Sequence, residues 1–242
     1  MSAAGSWRSA ARTDPGKVRL RNEDAFLDCP EQGLWVVADG MGGHQCGDVA
    51  SQLIVASLAE LSLHDSFEGR LNDLRQCLHW LNRRLGQELT VSVGRQDSIV
   101  GSTVVALLLQ GNRAACIWAG DSRCYLWRGQ CLYQLSKDHS LRQQLVDEQR
   151  MSPEQASAHP DANALTRAVG ASERLALDVL EFEVHAGDVF LLCSDGLYQG
   201  LSGDALGRAL SLASPRIALE RLFEGALRGA ARDNLTAVVI RQ

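Results

Sequence analysis

Apolar positions change their spacing along the chain, and each change marks a block. Leu34 to Ala38 is a short continuous apolar run that stops at Asp39-Gly40-Met41-Gly42-Gly43, the pattern of a buried strand delivering an acid into a glycine-rich turn. From Asp48 to about Leu63 the apolar residues recur at helical spacing, and Leu71, Leu74, Leu78, Leu81, Leu85 and Leu89 follow three or four apart, so two consecutive amphipathic helices are expected. From Ile99 the period shortens. Val100 to Leu109, Arg113 to Ala119, Arg123 to Trp127 and Cys131 to Leu135 are β-rich runs separated by turns at Gly111-Asn112, Gly120-Asp121 and Gly129-Gln130. These hairpin-length connections predict an antiparallel meander and exclude a simple doubly wound βαβ sheet.

Residues Ser140 to Ala158 are polar with helical propensity, and His159 to Asn163 contains Pro160, which predicts short helices and a mobile insertion. Strands are expected again at Leu175 to Val184 and Val189 to Cys193, the second ending in Ser194-Asp195-Gly196. Helical patterns occupy Gly203 to Leu210 and Pro215 to Ala230, and Leu235 to Arg241 reads as a closing strand. With no internal repeat, low-complexity tract or linker, residues 1–242 are expected to form one domain.

Composition narrows the function classes. Hydrophobic residues at 45% and charged residues at 22% are ordinary globular values, so disorder and fibrous repeats are excluded. A net charge of −5 argues against nucleic acid as the main partner. Of 24 basic residues only Lys17 and Lys137 are lysine, which fits a codon bias better than a binding adaptation. No apolar run reaches the roughly 18 to 20 residues of a membrane-spanning helix, and residues 1–16 lack a secretory apolar core. A cytoplasmic protein is expected. The cysteines at 29, 46, 77, 116, 124, 131 and 193 are odd in number and contain no Cys-x-x-Cys pair, so reduced thiols are expected rather than a disulfide framework or zinc ribbon.

Four acids share one habit. Asp39, Asp121 and Asp195 each end an apolar run beside glycine, and Asp233 stands just before the last strand. One Asp-Gly pair is an ordinary turn; four acids placed this way put carboxylates together at sheet ends. Hard divalent cations such as Mg²⁺ and Mn²⁺ take such oxygen ligands and keep several waters. Two of them close together suit an in-line phosphoryl displacement.

Six segments then resemble, in order, the motifs of bacterial type-2C metal-dependent serine/threonine protein phosphatases. They are Gly16-x-Val18-Arg19-x-x-Asn22-Glu23-Asp24, Ala38-Asp39-Gly40-Met41-Gly42-Gly43-His44, Gly101-Ser102-Thr103, Gly120-Asp121-Ser122-Arg123, Ser194-Asp195-Gly196-Leu197 and Arg232-Asp233-Asn234-Leu235-Thr236. The resemblance implies an α+β fold, a four-layer αββα sandwich with two central antiparallel sheets flanked by antiparallel helix pairs. It implies that Asp39 bridges two Mn²⁺ or Mg²⁺ ions, that Gly40 gives a backbone carbonyl to one, and that Asp195 and Asp233 hold the second. Glu23 and Asp24 would anchor metal-bound waters and Arg19 would pair with substrate phosphate, a task suited to a planar guanidinium. A third ion between Asp121 and Asp195 is implied by similar bacterial enzymes, as is a flap within residues 138–170.

The same likeness implies phosphorylated Ser/Thr proteins as partners, phosphorylated by a separate kinase, and a monomer with neither nucleic acid nor membrane as partner. Some eukaryotic relatives place His after the Asp-Gly pair as a general acid; Met41 stands there, so leaving-group protonation falls to His44 or to water. Other readings are a non-catalytic phosphoprotein-binding module and a small-phosphomonoester hydrolase. Cys77 and Arg83 have the Cys-x₅-Arg spacing of thiol-based phosphatases, but Cys77 lies in a helical pattern without a glycine-rich phosphate cradle. The five tryptophans show no basic interleaving and are expected to serve packing.

Overall fold

Most central strands in this chain bury both faces, because each sheet is covered on one side by helices and on the other by its partner sheet. The computed structural model describes residues 7–42, 47–86 and 100–242. Strands β1 (Arg8–Asp14), β2 (Asp24–Cys29) and β3 (Leu34–Met41) precede helices α1 (Gly47–Ala59) and α2 (Phe67–Arg84). The meander follows as β4 (Gly101–Ser102), β5 (Val104–Gln110), β6 (Arg113–Ala119), β7 (Arg123–Arg128) and β8 (Cys131–Gln134). Helices α3 (Leu141–Gln149) and α4 (Pro153–Ser157), then β9 (Asp178–Glu183) and β10 (Val189–Cys193), lead to α5 (Asp195–Gln199), α6 (Gly203–Leu210), α7 (Pro215–Arg228) and β11 (Leu235–Arg241).

One sheet runs β1-β11-β10-β7-β8; the other runs β2-β3-β5-β6-β9, with β4 on β3, and the paired strands are antiparallel. Alternation along β3 shows the layering: Leu34, Val36 and Ala38 join α1 and α2 residues such as Ile54, Leu58, Leu74 and Leu78, whereas Trp35 and Val37 face Phe190, Leu192, Val238 and Ile240 of the other sheet. Along β10, Val189, Leu191 and Cys193 meet Leu206, Leu210, Leu222 and Phe223 of α6 and α7. Three apolar interfaces therefore separate four layers, helix, sheet, sheet, helix. This is the expected α+β sandwich.

Several boundaries differ from the sequence expectation. The first helix ends at Ala59, not Leu63, and the second starts one turn early at Phe67, where Ser66 accepts a hydrogen bond from the Gly69 amide as its cap. Leu89 lies outside the described residues. The expected run Val100 to Leu109 breaks at Thr103, whose amide bonds to Asp39 rather than continuing the ladder. The strand expected from Leu175 starts at Asp178. Neither β1 nor β2 was expected; their residues are mostly half-buried or exposed, and their positions come from β11 and β3, along which they pair residue by residue. The segment 138–170, expected as a mobile insertion, is tied down at both ends. The His139 amide donates to the Gly120 carbonyl, and Ser102 and Val169 exchange both backbone bonds.

Trp7, Trp35, Trp118 and Trp127 pack in or against the core, while Trp80 on α2 is 45% exposed. Trp35 is fully buried, meets Trp7 edge-on at 6.5 Å between ring centroids, and donates its Nε1 proton to Asp28 at 2.9 Å. Truncating it leaves a void between the sheets and removes one of the two donors to Asp28 Oδ1, the other being the Ser9 hydroxyl. Trp35→Ala is expected to cost about 3–5 kcal/mol of stability, read by urea denaturation, the range typical of large aromatic truncations; a loss below about 1 kcal/mol would place Trp35 outside the core.

Candidate metal centre

The site forms where one end of each sheet meets the other. Asp24 on β2 stands directly across from Asp39 on β3, and like charges opposite one another on a sheet repel. Asp39 was expected at the end of its strand, before a glycine-rich turn, but β3 continues through Gly40 and Met41 because those residues pair with Ser102 and Gly101 of β4. Gly43 and His44 lie outside the described residues.

The backbone of Asp39 is gripped on both sides. Its amide donates to Thr103 Oγ1 at 3.1 Å, and its carbonyl accepts from the Thr103 amide at 2.9 Å and from Ser102 Oγ at 3.0 Å. Thr103 Oγ1 and Ser122 Oγ share a further bond of 2.7 Å, which links this grip to the turn carrying Asp121. Gly40 is required by close approach: a Cβ there would stand 2.0 Å from the Gly47 carbonyl oxygen and 2.7 Å from that of Glu23. The first turn of α1 can lie against β3 only because this position has no side chain.

Asp195 is the first residue of α5 and accepts from Gln199 Nε2 at 2.8 Å. The residue before it, Ser194, makes no side-chain cap for that helix. Its hydroxyl instead donates to Asp24 Oδ2 at 2.7 Å and accepts the Thr236 amide at 3.0 Å. Asp233 reaches the site beside Asn234, whose side chain accepts the Glu23 amide at 2.8 Å and donates to the Pro15 and Arg21 carbonyls. That one amide fixes the loop carrying Arg19 and Glu23. Asp121, on the β6–β7 turn, is buried, and Tyr198 donates its hydroxyl proton to the Asp121 carbonyl at 3.1 Å.

Burial and mutual repulsion dominate the electrostatics. Burial, then the charges of Asp24, Asp195, Asp121 and Asp233, push the largely buried Asp39 carboxyl well above the ordinary carboxylate range. Burial is the first cause for Asp24, raised to about 6, for Asp195, raised to about 6 with help from Asp233 and Asp24, and for Asp121, raised to about 7 with help from Asp195 and Asp138. Glu23 is raised by burial and by Asp48.

All five predicted ligand positions are thus brought together with Glu23 and Asp24. Arg19 is half exposed and donates to Asp233 Oδ2 at 2.7 Å, so it contacts an expected metal ligand directly. Asp24 Oδ1 is buried and, among the described residues, has no hydrogen-bond partner. An assembly of acids with an orphaned buried oxygen has the donor chemistry of a hard-cation site. Among the described residues no group of three or more His, Cys, Asp or Glu side chains is drawn together closely enough to hold a metal ion. A water-rich octahedral site needs only one or two protein carboxylates per ion, so the residues fit Mn²⁺ or Mg²⁺.

Supports that the sequence reading left without roles are Ser102, Thr103, Ser122, Ser194 and Asn234. All five fall inside the recognised motifs, which was the signal that could have found them. The thiol alternative fails on position and chemistry: Cys77 lies in α2, and burial pushes its thiol up, away from the thiolate a nucleophile needs.

Residues 17–235 match the family model described as Protein phosphatase 2C. The chain belongs to the protein phosphatase 2C family. The serine/threonine protein phosphatase PstP of Mycobacterium tuberculosis is 39% identical over 232 residues, 96% of this chain but 44% of that protein, so the chain spans less than half of that relative. Among solved structures, the one described as PppA, a key regulatory component of T6SS in Pseudomonas aeruginosa, superimposes with a TM-score of 0.90 at 44% identity over 98% of each chain. The catalytic domain of PstP in complex with 2 manganese ions gives 0.85 at 37% identity over 97% of each. The protein phosphatase 2C fold thus extends over essentially the whole chain.

Raised carboxyl pKa values carry a stability consequence for the metal-free protein. Asp24, Asp121 and Asp195 ionise near 3.8 when unfolded but near 6 to 7 when folded, so between those values the folded state holds protons that the unfolded chain has released. Their contribution is therefore most favourable below the unfolded value and is lost as pH rises through about 7. In excess chelator the melting temperature is expected to fall between about pH 5 and about pH 8, and saturating Mn²⁺ should shrink that fall. A chelated protein that gains stability over this range would show that the acids do not repel.

Proposed function

We propose that this chain hydrolyses phosphoserine and phosphothreonine in proteins, using water activated at a centre of two Mn²⁺ or Mg²⁺ ions. The observation that carries the reading is the convergence of the buried Asp24 and Asp121 with the partly exposed Asp39, Asp195 and Asp233 in a member of the protein phosphatase 2C family. The manganese-bound PstP domain supports the metal assignment. When bound, the ions would supply the positive charge that makes a water acidic enough to attack phosphorus.

In this reading Asp39 would help to hold both ions, the Gly40 carbonyl would contribute to one, and Asp195 and Asp233 would hold the other. Asp121 and Asp195 would share a third. Glu23 and Asp24 orient water, and Ser194 holds the Asp24 carboxylate by accepting no freedom of its own: its proton and one lone pair are already committed. Arg19 leaves Asp233 when substrate phosphate enters, so one guanidinium serves first as counter-ion and then as phosphate ligand. Residues 138–170 form the flap beside the site. No side chain among the described residues is assigned as general acid, and water protonates the leaving alkoxide.

The acidic centre also supports catalysis over a phosphoprotein-binding module on the same fold, which would not need these crowded like charges. We further place the chain in the cytoplasm as a monomer acting on the products of a separate kinase. Among the described residues no helix is long and apolar enough to cross a membrane, and Cys29, Cys77, Cys116, Cys124, Cys131 and Cys193 are unbridged, which supports a reducing setting. Likeness along both full chains to PppA supports a regulatory role in such a pathway.

Chelation should abolish turnover of a phosphopeptide, and Mn²⁺ or Mg²⁺ should restore it. Calorimetric titration is expected to show that Asp39→Asn loses both principal ions, whereas Asp121→Ala keeps two and turns over more slowly, because removing one carboxylate from a water-rich site weakens mainly that site. Full activity in chelator would exclude the metal mechanism.

For Arg19→Ala, kcat/KM toward a phosphopeptide should drop about ten- to a hundredfold, the effect of losing a contact to a charged group worth roughly 1.5–3 kcal/mol. Steady-state kinetics that leave kcat/KM unchanged would reduce Arg19 to a structural partner of Asp233.

A further inference from the structure

A second concave surface lies on the helical layer that covers the β1-β11-β10-β7-β8 sheet. Helix α6 turns Leu206, Ala209 and Leu210 inward, and α7 turns Ala218, Leu219, Leu222, Phe223 and Ala226 inward, so Arg208, Arg221 and Arg228 are left on the outer face. Between them is a cavity of about 450 Å³ whose floor includes Leu201 and Leu222. Gly225 makes the floor concave: a Cβ there would stand 2.8 Å from Leu201 Cδ2.

The charges on its rim are poorly answered within the chain. Glu224 approaches Arg221 at 3.7 Å and Arg228 at 3.9 Å, long contacts between exposed groups. Among the described residues the Arg208 guanidinium has no ion-pair partner. A chain of net charge −5 thus concentrates three arginines around an apolar trough, against its overall sign. An acidic ligand is the complement of the rim, and an aliphatic side chain that of the floor. Nucleic acid would answer the arginines but would leave the trough unused.

The groove is also joined to the metal centre. Helix α5 begins at Asp195 and ends at Gln199, two residues before Leu201; five helical residues span only about 7.5 Å. Leu201 follows Asp195 by six positions, so α5 ties the floor of the groove to the acid cluster through the chain.

We propose that this groove docks an acidic segment of the phosphoprotein substrate, anchored by one aliphatic side chain and separate in sequence from the phosphorylated residue. The proposal rests on the phosphatase reading above and assigns the substrate class that such an enzyme would prefer.

The test uses the Mn²⁺-loaded chain and two phosphopeptides alike around the phosphothreonine. One carries a distal tail of Asp, Glu and a single Leu; the other carries Ser and Asn in their place. The acidic-tail peptide should show about tenfold higher kcat/KM, through KM rather than kcat, and the advantage should shrink as salt rises. The triple variant R208E/R221E/R228E should lose that advantage while hydrolysing p-nitrophenyl phosphate at the unaltered rate, which also shows that it has folded. The triple lysine variant should keep part of it. Equal kcat/KM for the two peptides on the unaltered chain, or an undiminished advantage in the glutamate variant, would overturn the proposal. So would sedimentation showing a dimer that the glutamate variant dissolves, since the groove would then be occupied by a second copy. If p-nitrophenyl phosphate and both phosphopeptides were inert, the phosphatase reading would fail instead. The groove would then be judged by fluorescence anisotropy of a labelled, unphosphorylated acidic-tail peptide: binding lost in the glutamate variant supports docking, and equal binding overturns it.

Discussion

Five carboxylates crowd one end of two packed sheets, and the cost of holding them there shapes what surrounds them. Asp24 and Asp39 oppose each other across a strand pair, where ordinary sheets avoid like charges. Short hydroxyl side chains accordingly occupy the neighbouring positions: Ser102 and Thr103 hold the Asp39 backbone, and Ser194 holds the Asp24 carboxylate. The only guanidinium that ion-pairs with these acids among the described residues is that of Arg19, on Asp233. Such a centre stores repulsion that a cation relieves, so affinity for metal and instability without it have a common origin.

The outer part of the site is stiffened by a second set of contacts. Arg123 makes a two-pronged ion pair with the buried Asp138 at 2.8 and 2.7 Å and lies over the Tyr198 ring at 3.7 Å. Tyr198 in turn donates to the Asp121 carbonyl. The start of the 138–170 segment, the Asp121 turn and α5 are thereby one connected unit. His139 adds to it, accepting the Gly120 amide on Nδ1 and stacking on Trp118 at 6.1 Å. With Nδ1 as acceptor, Nε2 carries the proton and faces Asp178 at 3.1 Å. Any movement of the segment 138–170 must therefore occur beyond this root.

Elements whose pattern was strong were legible in the sequence. Leu34 to Ala38 and Val189 to Cys193 were evident as strands because both of their faces are buried, and the meander was evident from its turns. Strands β1 and β2 were not, since Ser9-Ala10-Ala11-Arg12-Thr13 and Asp24-Ala25-Phe26-Leu27-Asp28 carry weak periodicity and depend on partners distant in sequence. Helix α5 escaped because it is five residues long and its Ser194 serves Asp24 instead of capping. At the site, the acids were legible as a set of repeated strand-end positions joined to a known motif order. The hydroxyls and Asn234 acquire meaning only from partners such as Asp24, 170 positions away from Ser194, a relation that no local pattern encodes.

The pairing of β1 with β11, from Arg8 with Arg241 to Asp14 with Leu235, places the earliest and latest strands of the fold side by side. On the ribosome, β10 would wait with one edge uncovered until residue 241 had emerged, and Asp233 would be the last of the acids to arrive. A nascent chain can assemble the β2-β3-β5-β6-β9 half of the sandwich, but neither the second sheet nor the acid cluster can be completed before synthesis has passed β11. The geometry thus ties completion of the acid cluster to the end of the last strand pairing.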